Sequence, residues 1–178
     1  MTRIYLSLGS NIGEKEKNIH KAIELLKYKN ILTIKKISSL YKTEPVNYEQ
    51  QDWFLNCIVE AETSLDLEGL FKFTLEVEKK LGKDVKIRFG PRIIDIDILF
   101  FGNEIINAEF KIGKEDKHST NKYLVQVPHP RLHTRKFVLV PLNEIASKYM
   151  HPLLNKTIKQ LLACLDEQNA AKKVELWE

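Results

Sequence analysis

The chain has 178 residues, 43% of them hydrophobic and 29% charged, with only 7 Gly and 6 Pro. That excludes a disordered, fibrous or disulfide-stapled protein and is long enough for one domain with a real core, spanning residues 1–178. The net charge of +4 suits an anionic small ligand but is too weak to imply nucleic acid, and the apolar stretches are too short to cross a bilayer. The N-terminus runs straight into a strand-like pattern with no leader, so the expected location is the cytoplasm. Cys57 and Cys164 read as reduced core residues.

In chain order, Ile4 to Leu8 predicts a buried strand ended by the turn Gly9-Ser10-Asn11. Glu14 to about Lys29 predicts a helix with Ile19, Ile23 and Leu26 on one stripe, and Ile31–Tyr41 a β-branched strand. A polar loop over Thr43–Gln51 precedes a strand at Phe54–Ala61. Leu67, Leu70, Phe71, Val77 and Leu81 mark a second helix, closed by Gly82. A basic loop, Lys83–Arg92, leads into the strand Ile93–Phe101. The order β-α-β-β-α-β predicts an α+β fold with a ferredoxin-like core, helices on one face and the other face free for a site.

Phe101–Ile106 then reads as a hairpin and Lys111–Lys122 as an exposed loop, with the inserted segment taken as about 107–126. Val127-Pro128-His129-Pro130-Arg131 is a rigid turn. Short helices are expected near Leu132–Phe137 and Thr157–Leu165, and Val174, Leu176 and Trp177 could add an edge strand.

The chemistry concentrates in Ile94-Asp95-Ile96-Asp97-Ile98. Alternation puts Asp95 and Asp97 on one face, with Cα atoms roughly 6.5–7 Å apart. Ile94, Ile96, Ile98 and Phe100 are expected to share the other. Two acids on an isoleucine strand are costly unless solvated or paired with cations. At that spacing they can converge on two ions about 3.5–4 Å apart, as in phosphoryl transfer. Solvated acids on a half-exposed strand are the plain alternative. Lys83, Lys86, Arg88 and Arg92 lie just upstream, and His129, Arg131 and Arg135 form a second cationic group suited to phosphates. His129 and His133 could instead hold zinc, but no Glu or Cys cluster accompanies them. No Walker-type glycine loop is present.

These pieces resemble the 6-hydroxymethyl-7,8-dihydropterin pyrophosphokinase family. The shared motifs are Gly9-Ser10-Asn11, Tyr41-x-Thr43-x-Pro45, Phe54-Leu55-Asn56, Glu78 with Gly82, Arg88-x-Gly90-Pro91-Arg92-x-x-Asp95-x-Asp97, Pro128-His129 and Arg135-x-Phe137. They run in family order over residues 4 to about 165. The resemblance implies ATP as donor, AMP as product, and two magnesium ions on Asp95 and Asp97, with Arg92 also catalytic. It further implies that Arg92, His129, Arg131 and Arg135 grip the triphosphate beside Lys83, Lys86 and Arg88, with Glu78 and Ile98 near the nucleotide. Thr43, Glu44, Val46, Phe54, Asn56, Phe89, Asp95 and Phe137 would surround the pterin. The implied partners are those two small molecules, with dihydropteroate synthase as a functional neighbour and neither nucleic acid nor membrane.

The chain departs from the family pattern in carrying Lys83, Lys86 and Phe89 where arginines and a tryptophan are frequent, and Asn47 where glycine is common. Lysine lacks the bidentate fork of arginine. Thr43–Gln51 and Lys83–Phe89 are expected to close over the substrates. A nucleotidyl transferase or cyclase, and an RNA-binding module on the same sheet, are the rival readings; the RNA reading wants exposed aromatics where this strand carries acids.

Overall fold

The structure, a computed structural model, describes residues 1–45, 51–83, 90–112, 121–165 and 173–178. Its centre is β1 (Thr2–Ser10), buried on both faces from Ile4 onward, which is why that segment reads as a continuous apolar run. β1 pairs antiparallel with β4 (Phe54–Thr63) on one side and β5 (Asp95–Phe101) on the other. β4 also pairs with β2 (Leu32–Ile37) and β3 (Tyr41–Thr43). Those two are the halves of the single strand expected over Ile31–Tyr41. The break falls at Ser38, whose N–H donates to the Ile58 carbonyl and whose hydroxyl accepts from the Ile58 N–H, both at 2.9 Å. The expected edge strand forms: β8 (Val174–Leu176) pairs with the outer edge of β3. The sheet order is β5-β1-β4-β3-β8.

Helices α1 (Lys15–Lys27) and α2 (Leu67–Lys80) cover one face. Ile19, Ala22, Ile23 and Leu26 of α1, with Leu70 and Val77 of α2, pack on Ile4, Leu6 and Leu8 of β1 and on Ile94, Ile96 and Ile98. Each of the isoleucine, leucine and valine side chains contributes about 1.5–3 kcal/mol when fully buried. Asp66 caps α2 by accepting from the Gly69 N–H at 2.8 Å, and Gly82, at φ +84°, takes the chain out of it.

The helices are not confined to one face. α3 (Lys136–Ala146) and α4 (Ile158–Ala163) pack on the opposite side, where Val138, Leu139 and Leu142 meet Tyr5, Ile58, Leu99 and Phe100. The expected short helix near Leu132–Phe137 is a 3-10 turn at Leu132–Thr134 followed by the longer α3, which carries Pro141 inside it. Phe100 also changes sides. Leu6 pairs with Ile98 but Tyr5 pairs with Phe100, so Leu99 is an extra residue that reverses the alternation. Phe100 therefore meets Tyr5 edge-on at 6.0 Å rather than joining the isoleucines.

The turn at Gly102 exists, but the strand after it does not pair back on β5. β6 (Ile106–Ile112) pairs with β7 (Asn121–Val127) as a separate two-stranded sheet. Residues 107–112 and 121–126 of the segment read as a loop are thus paired strands; 113–120 lie outside the described residues. The hairpin is anchored by Phe110 and Tyr123 against Phe71 of α2, with ring centroids 6.1 and 5.4 Å away. Cys57 is buried as expected, but Cys164 is exposed at the end of α4. Among the described residues no helix is long and apolar enough to cross a membrane.

Candidate active site

α3 and α4 leave part of their face of the sheet uncovered, and there a cavity of about 370 Å³ opens. Its floor is β1, β4 and β5, and its rim includes Thr134, Arg135 and Phe137 at the start of α3. Asp95 and Asp97 both line it, as strand alternation predicts.

Asp95 is fully engaged. Arg92 Nη1 donates to its Oδ2 at 2.5 Å and Lys83 Nζ to its Oδ1 at 2.6 Å. Burial alone would raise its pKa, but Lys83 and Arg92 outweigh that and hold it below the ordinary carboxylate range. Lys83 also donates to Glu78 Oε1 at 2.7 Å, and Glu78 accepts from the Ile96 N–H at the same distance. Glu78 is buried behind the site rather than on the cavity wall, so it reaches the site through Lys83. Its own pKa is raised by burial, with Lys83 opposing. Lys83 stays charged: burial lowers its pKa, but Asp95 and Glu78 more than compensate.

Asp97 is the more open acid. Its neighbours are Arg135 Nη1 at 3.4 Å and His129 Nε2 at 4.0 Å. Burial, and next the charge on Asp95, push its pKa up. His129 is tied to β5 by its N–H donating to the Leu99 carbonyl at 2.9 Å. Burial, then Arg135 and Arg131, push its pKa down to about 4, so the ring is neutral near pH 7. Its Nδ1 accepts from the Arg131 N–H at 3.2 Å, which puts the proton on Nε2, facing the acids.

Among the described residues the other end of the cavity carries no ion network. Asn56 Nδ2 donates to Thr43 Oγ1 at 2.6 Å, with Phe54, Phe137 and Glu44 also on the wall. Gly9 is required there: a Cβ at that position would sit 2.7 Å from Asn56 Oδ1. Gly9 and Ser10, expected to turn the chain, instead extend β1 and pair with Asn56 and Leu55 of β4; Asn11, just past the strand, accepts from the Arg92 N–H at 2.7 Å and donates its own N–H to the Arg92 carbonyl at 3.0 Å. Gly9-Ser10-Asn11 therefore serves both ends.

The sequence-predicted residues thus converge, with exceptions. The Ile98 side chain belongs to the core against the helices and does not line the cavity. Val46, Lys86, Arg88 and Phe89 lie outside the described residues, as do most of the two segments expected to close over the substrates. Zinc gains no support: among the described residues no three or more His, Cys, Asp or Glu cluster as a metal site, and the His133 ring lies 6.5 Å from that of His151. Sequence reasoning missed Ser7, Gln51 and Thr134 on the cavity wall. Ser7 was findable, since it is two residues from Gly9 and so shares its face.

A model of the 7,8-dihydro-6-hydroxymethylpterin-pyrophosphokinase (HPPK) family matches residues 5–147. The chain belongs to the HPPK family. Among HPPK relatives, the 2-amino-4-hydroxy-6-hydroxymethyldihydropteridine pyrophosphokinase of Bacillus subtilis is 42% identical over 144 residues, covering 81% of this chain and 78% of its own. The enzyme of the same name from Aquifex aeolicus is 38% identical over 160 residues, 90% of each chain. In fold, the HPPK-DHPS of Plasmodium falciparum solved with pteroate superposes with a TM-score of 0.71 at 18% identity, covering 91% of this chain. This chain spans 44% of that one, and the likeness concerns the fold alone.

Proposed function

We propose that Asp95 and Asp97 of this pyrophosphokinase hold two magnesium ions at the charged end of the cavity, with the pterin at the neutral end. The enzyme transfers diphosphate from ATP to the hydroxymethyl group of 6-hydroxymethyl-7,8-dihydropterin, giving AMP and the pterin diphosphate in folate biosynthesis. The observation that carries the site assignment is one cavity with two acids facing it at one end and the Asn56–Thr43 pair with two phenylalanines at the other.

The donor set suits magnesium, which takes few carboxylates and fills its remaining positions with phosphate oxygens and water. Among the described residues, Glu78, Asp95 and Asp97 are balanced by Lys83, Arg92 and Arg135, which leaves Arg131 as the surplus cation on the cavity wall, so a bound triphosphate calls for further positive charge. When bound, the metal would neutralise phosphate charge and orient the donor.

The chain's own residues do the rest by positioning and electrostatics. Arg92, held by Asn11 and Asp95, offers its guanidinium to the phosphates, with Arg131 and Arg135 on the same cavity wall and the His129 Nε2–H as a neutral donor. Lys83, kept charged between Glu78 and Asp95, can follow the phosphates without losing its proton. Glu78 acts as its anchor, and by family resemblance Lys86 and Arg88 are assigned to the nucleotide side, which the Ile98 side chain, turned into the core, does not line. At the neutral end, Asn56 and Thr43 address the ring edge and Phe54 and Phe137 its faces, with Glu44 also on the wall; Val46 and Phe89 are assigned to the pterin by family resemblance alone. The pterin hydroxyl oxygen bonds to the β-phosphorus as the bond from that phosphorus to the α,β-bridging oxygen breaks. AMP keeps the bridging oxygen, and the hydroxyl proton passes to solvent.

The chain order, with β1 flanked by β4 and β5, supports reading the core as ferredoxin-like and residues 1–178 as one domain. A cytoplasmic location suits a chain that acts on two small water-soluble molecules. HPPK-DHPS chains among the fold neighbours support dihydropteroate synthase as the functional neighbour. The test is product analysis with ATP, magnesium and the pterin. AMP formed only when the pterin is present is the expected result; pyrophosphate release would favour a nucleotidyl transferase instead.

A further inference from the structure

We propose that β8 and Trp177 are positioning elements for the substrate strand β3, holding the pterin end of the cavity in its binding geometry. The inference rests on the assignment of that end given above. β3 is only three residues long, yet it supplies Thr43 and leads directly to Glu44, both on the cavity wall. Its inner edge is fixed by β4, with Tyr41 opposite Asn56 and Thr43 opposite Phe54. Its outer edge is covered by β8, with Tyr41 opposite Leu176 and Thr43 opposite Val174.

The pairing runs past both ends of these strands. The Trp177 N–H donates to the Leu40 carbonyl at 2.9 Å. The Glu44 N–H donates to the Lys173 carbonyl at 3.2 Å, and the Lys173 N–H donates back to Glu44 Oε2 at 3.1 Å. The Trp177 indole N–H reaches Glu16 of α1 at 3.3 Å. One short segment therefore ties α1 to the rim of the cavity.

The exposure of the segment separates positioning from bulk stabilisation. Glu175, Leu176 and Trp177 are exposed, so the segment adds little to the core and acts mainly through its backbone. The family match ends at residue 147, so the segment lies beyond the part of the chain that matches the HPPK model. With one edge unpaired, a three-residue strand frays readily. Substrate must then order it on binding, and apparent affinity falls by the fraction of chains already competent. The acids on β5 lie on the far side of β1 and β4 and would not feel that fraying.

The test compares the full chain with one lacking residues 173–178 and with Trp177→Pro, which removes both the backbone and the indole N–H donors of Trp177 from an otherwise complete chain. Pterin KM should rise roughly tenfold in the shortened chain and about threefold in Trp177→Pro, with ATP KM and kcat within about twofold of the parent. Unchanged pterin KM, or equal changes in both KM values and kcat, would overturn the proposal. Amide exchange without substrate tests it independently. The Tyr41 and Thr43 amides, which face β4, should exchange faster in the shortened chain. Unchanged exchange there counts against β8 as the positioning element. A full chain that forms no AMP counts instead against the functional reading.

Discussion

The two ends of the cavity are built by different means. At the charged end Lys83, Arg92 and Arg135 interlock with Glu78, Asp95 and Asp97, so each side chain is held by an opposite charge. At the neutral end the side-chain bond from Asn56 to Thr43 is held in place by backbone: Gly9 leaves room for it, and β4 and β8 clamp β3. Charge that is balanced before the ligand arrives can be rearranged by a polyanion and its metal. A flat neutral ring needs a wall of fixed shape, which backbone pairing supplies.

Breaking the charged end should have the largest consequence. Asp97→Ala should lower turnover on the order of 10³-fold. It should leave the melting temperature unchanged or raised, because burial and Asp95 already disfavour the Asp97 charge. AMP formation and thermal unfolding measure the two. Arg92→Ala should cost about 10²-fold in kcat, with Arg92→Lys recovering only part of it, since lysine keeps the charge but not the fork.

The neutral end should respond differently. Asn56→Ala should raise pterin KM roughly tenfold and leave ATP KM alone, the loss expected for one buried hydrogen bond to the substrate or its wall. Gly9→Ala should act in the same direction without touching any polar group, because its Cβ would meet Asn56 Oδ1 at 2.7 Å. Steady-state kinetics with each substrate varied would expose a failure: an ATP KM that moves with the pterin KM would mean the two ends are not separable.

A control outside both ends should show the smallest effect. His151 is 3% exposed, packs on Phe100, and accepts from the Leu153 and Leu154 N–H groups at 3.2 and 3.3 Å through Nδ1. Burial, then His133, lowers its pKa from 6.5. The unfolded chain therefore binds the proton first as pH falls, so this stability is complete above pH 6.5 and is lost below it. Melting temperature should decline below that pH, and His151→Gln, which keeps an acceptor, should flatten the decline without altering either KM.

The charged end was legible in the sequence because two acids on an isoleucine strand are conspicuous: nothing about a core explains them. The neutral end was legible only through family motifs, since Thr43, Phe54 and Asn56 are ordinary strand residues by type. Three features escaped because they depend on partners distant in sequence. Leu99 bulges only against β1, which turns Phe100 to the α3 face. Ile106–Ile112 finds β7 rather than β5. Glu78 reads as a helix residue near a ligand, yet its carboxylate turns inward to Lys83 and the Ile96 N–H.

The claim that the acids hold the metal on which ATP depends is tested most directly by calorimetric titration of a non-transferable ATP analogue. It would be done with and without magnesium, on the parent chain and on Asp97→Ala. The account predicts tight, magnesium-dependent binding by the parent and loss of that dependence in the variant. Equal magnesium dependence in both proteins would contradict it.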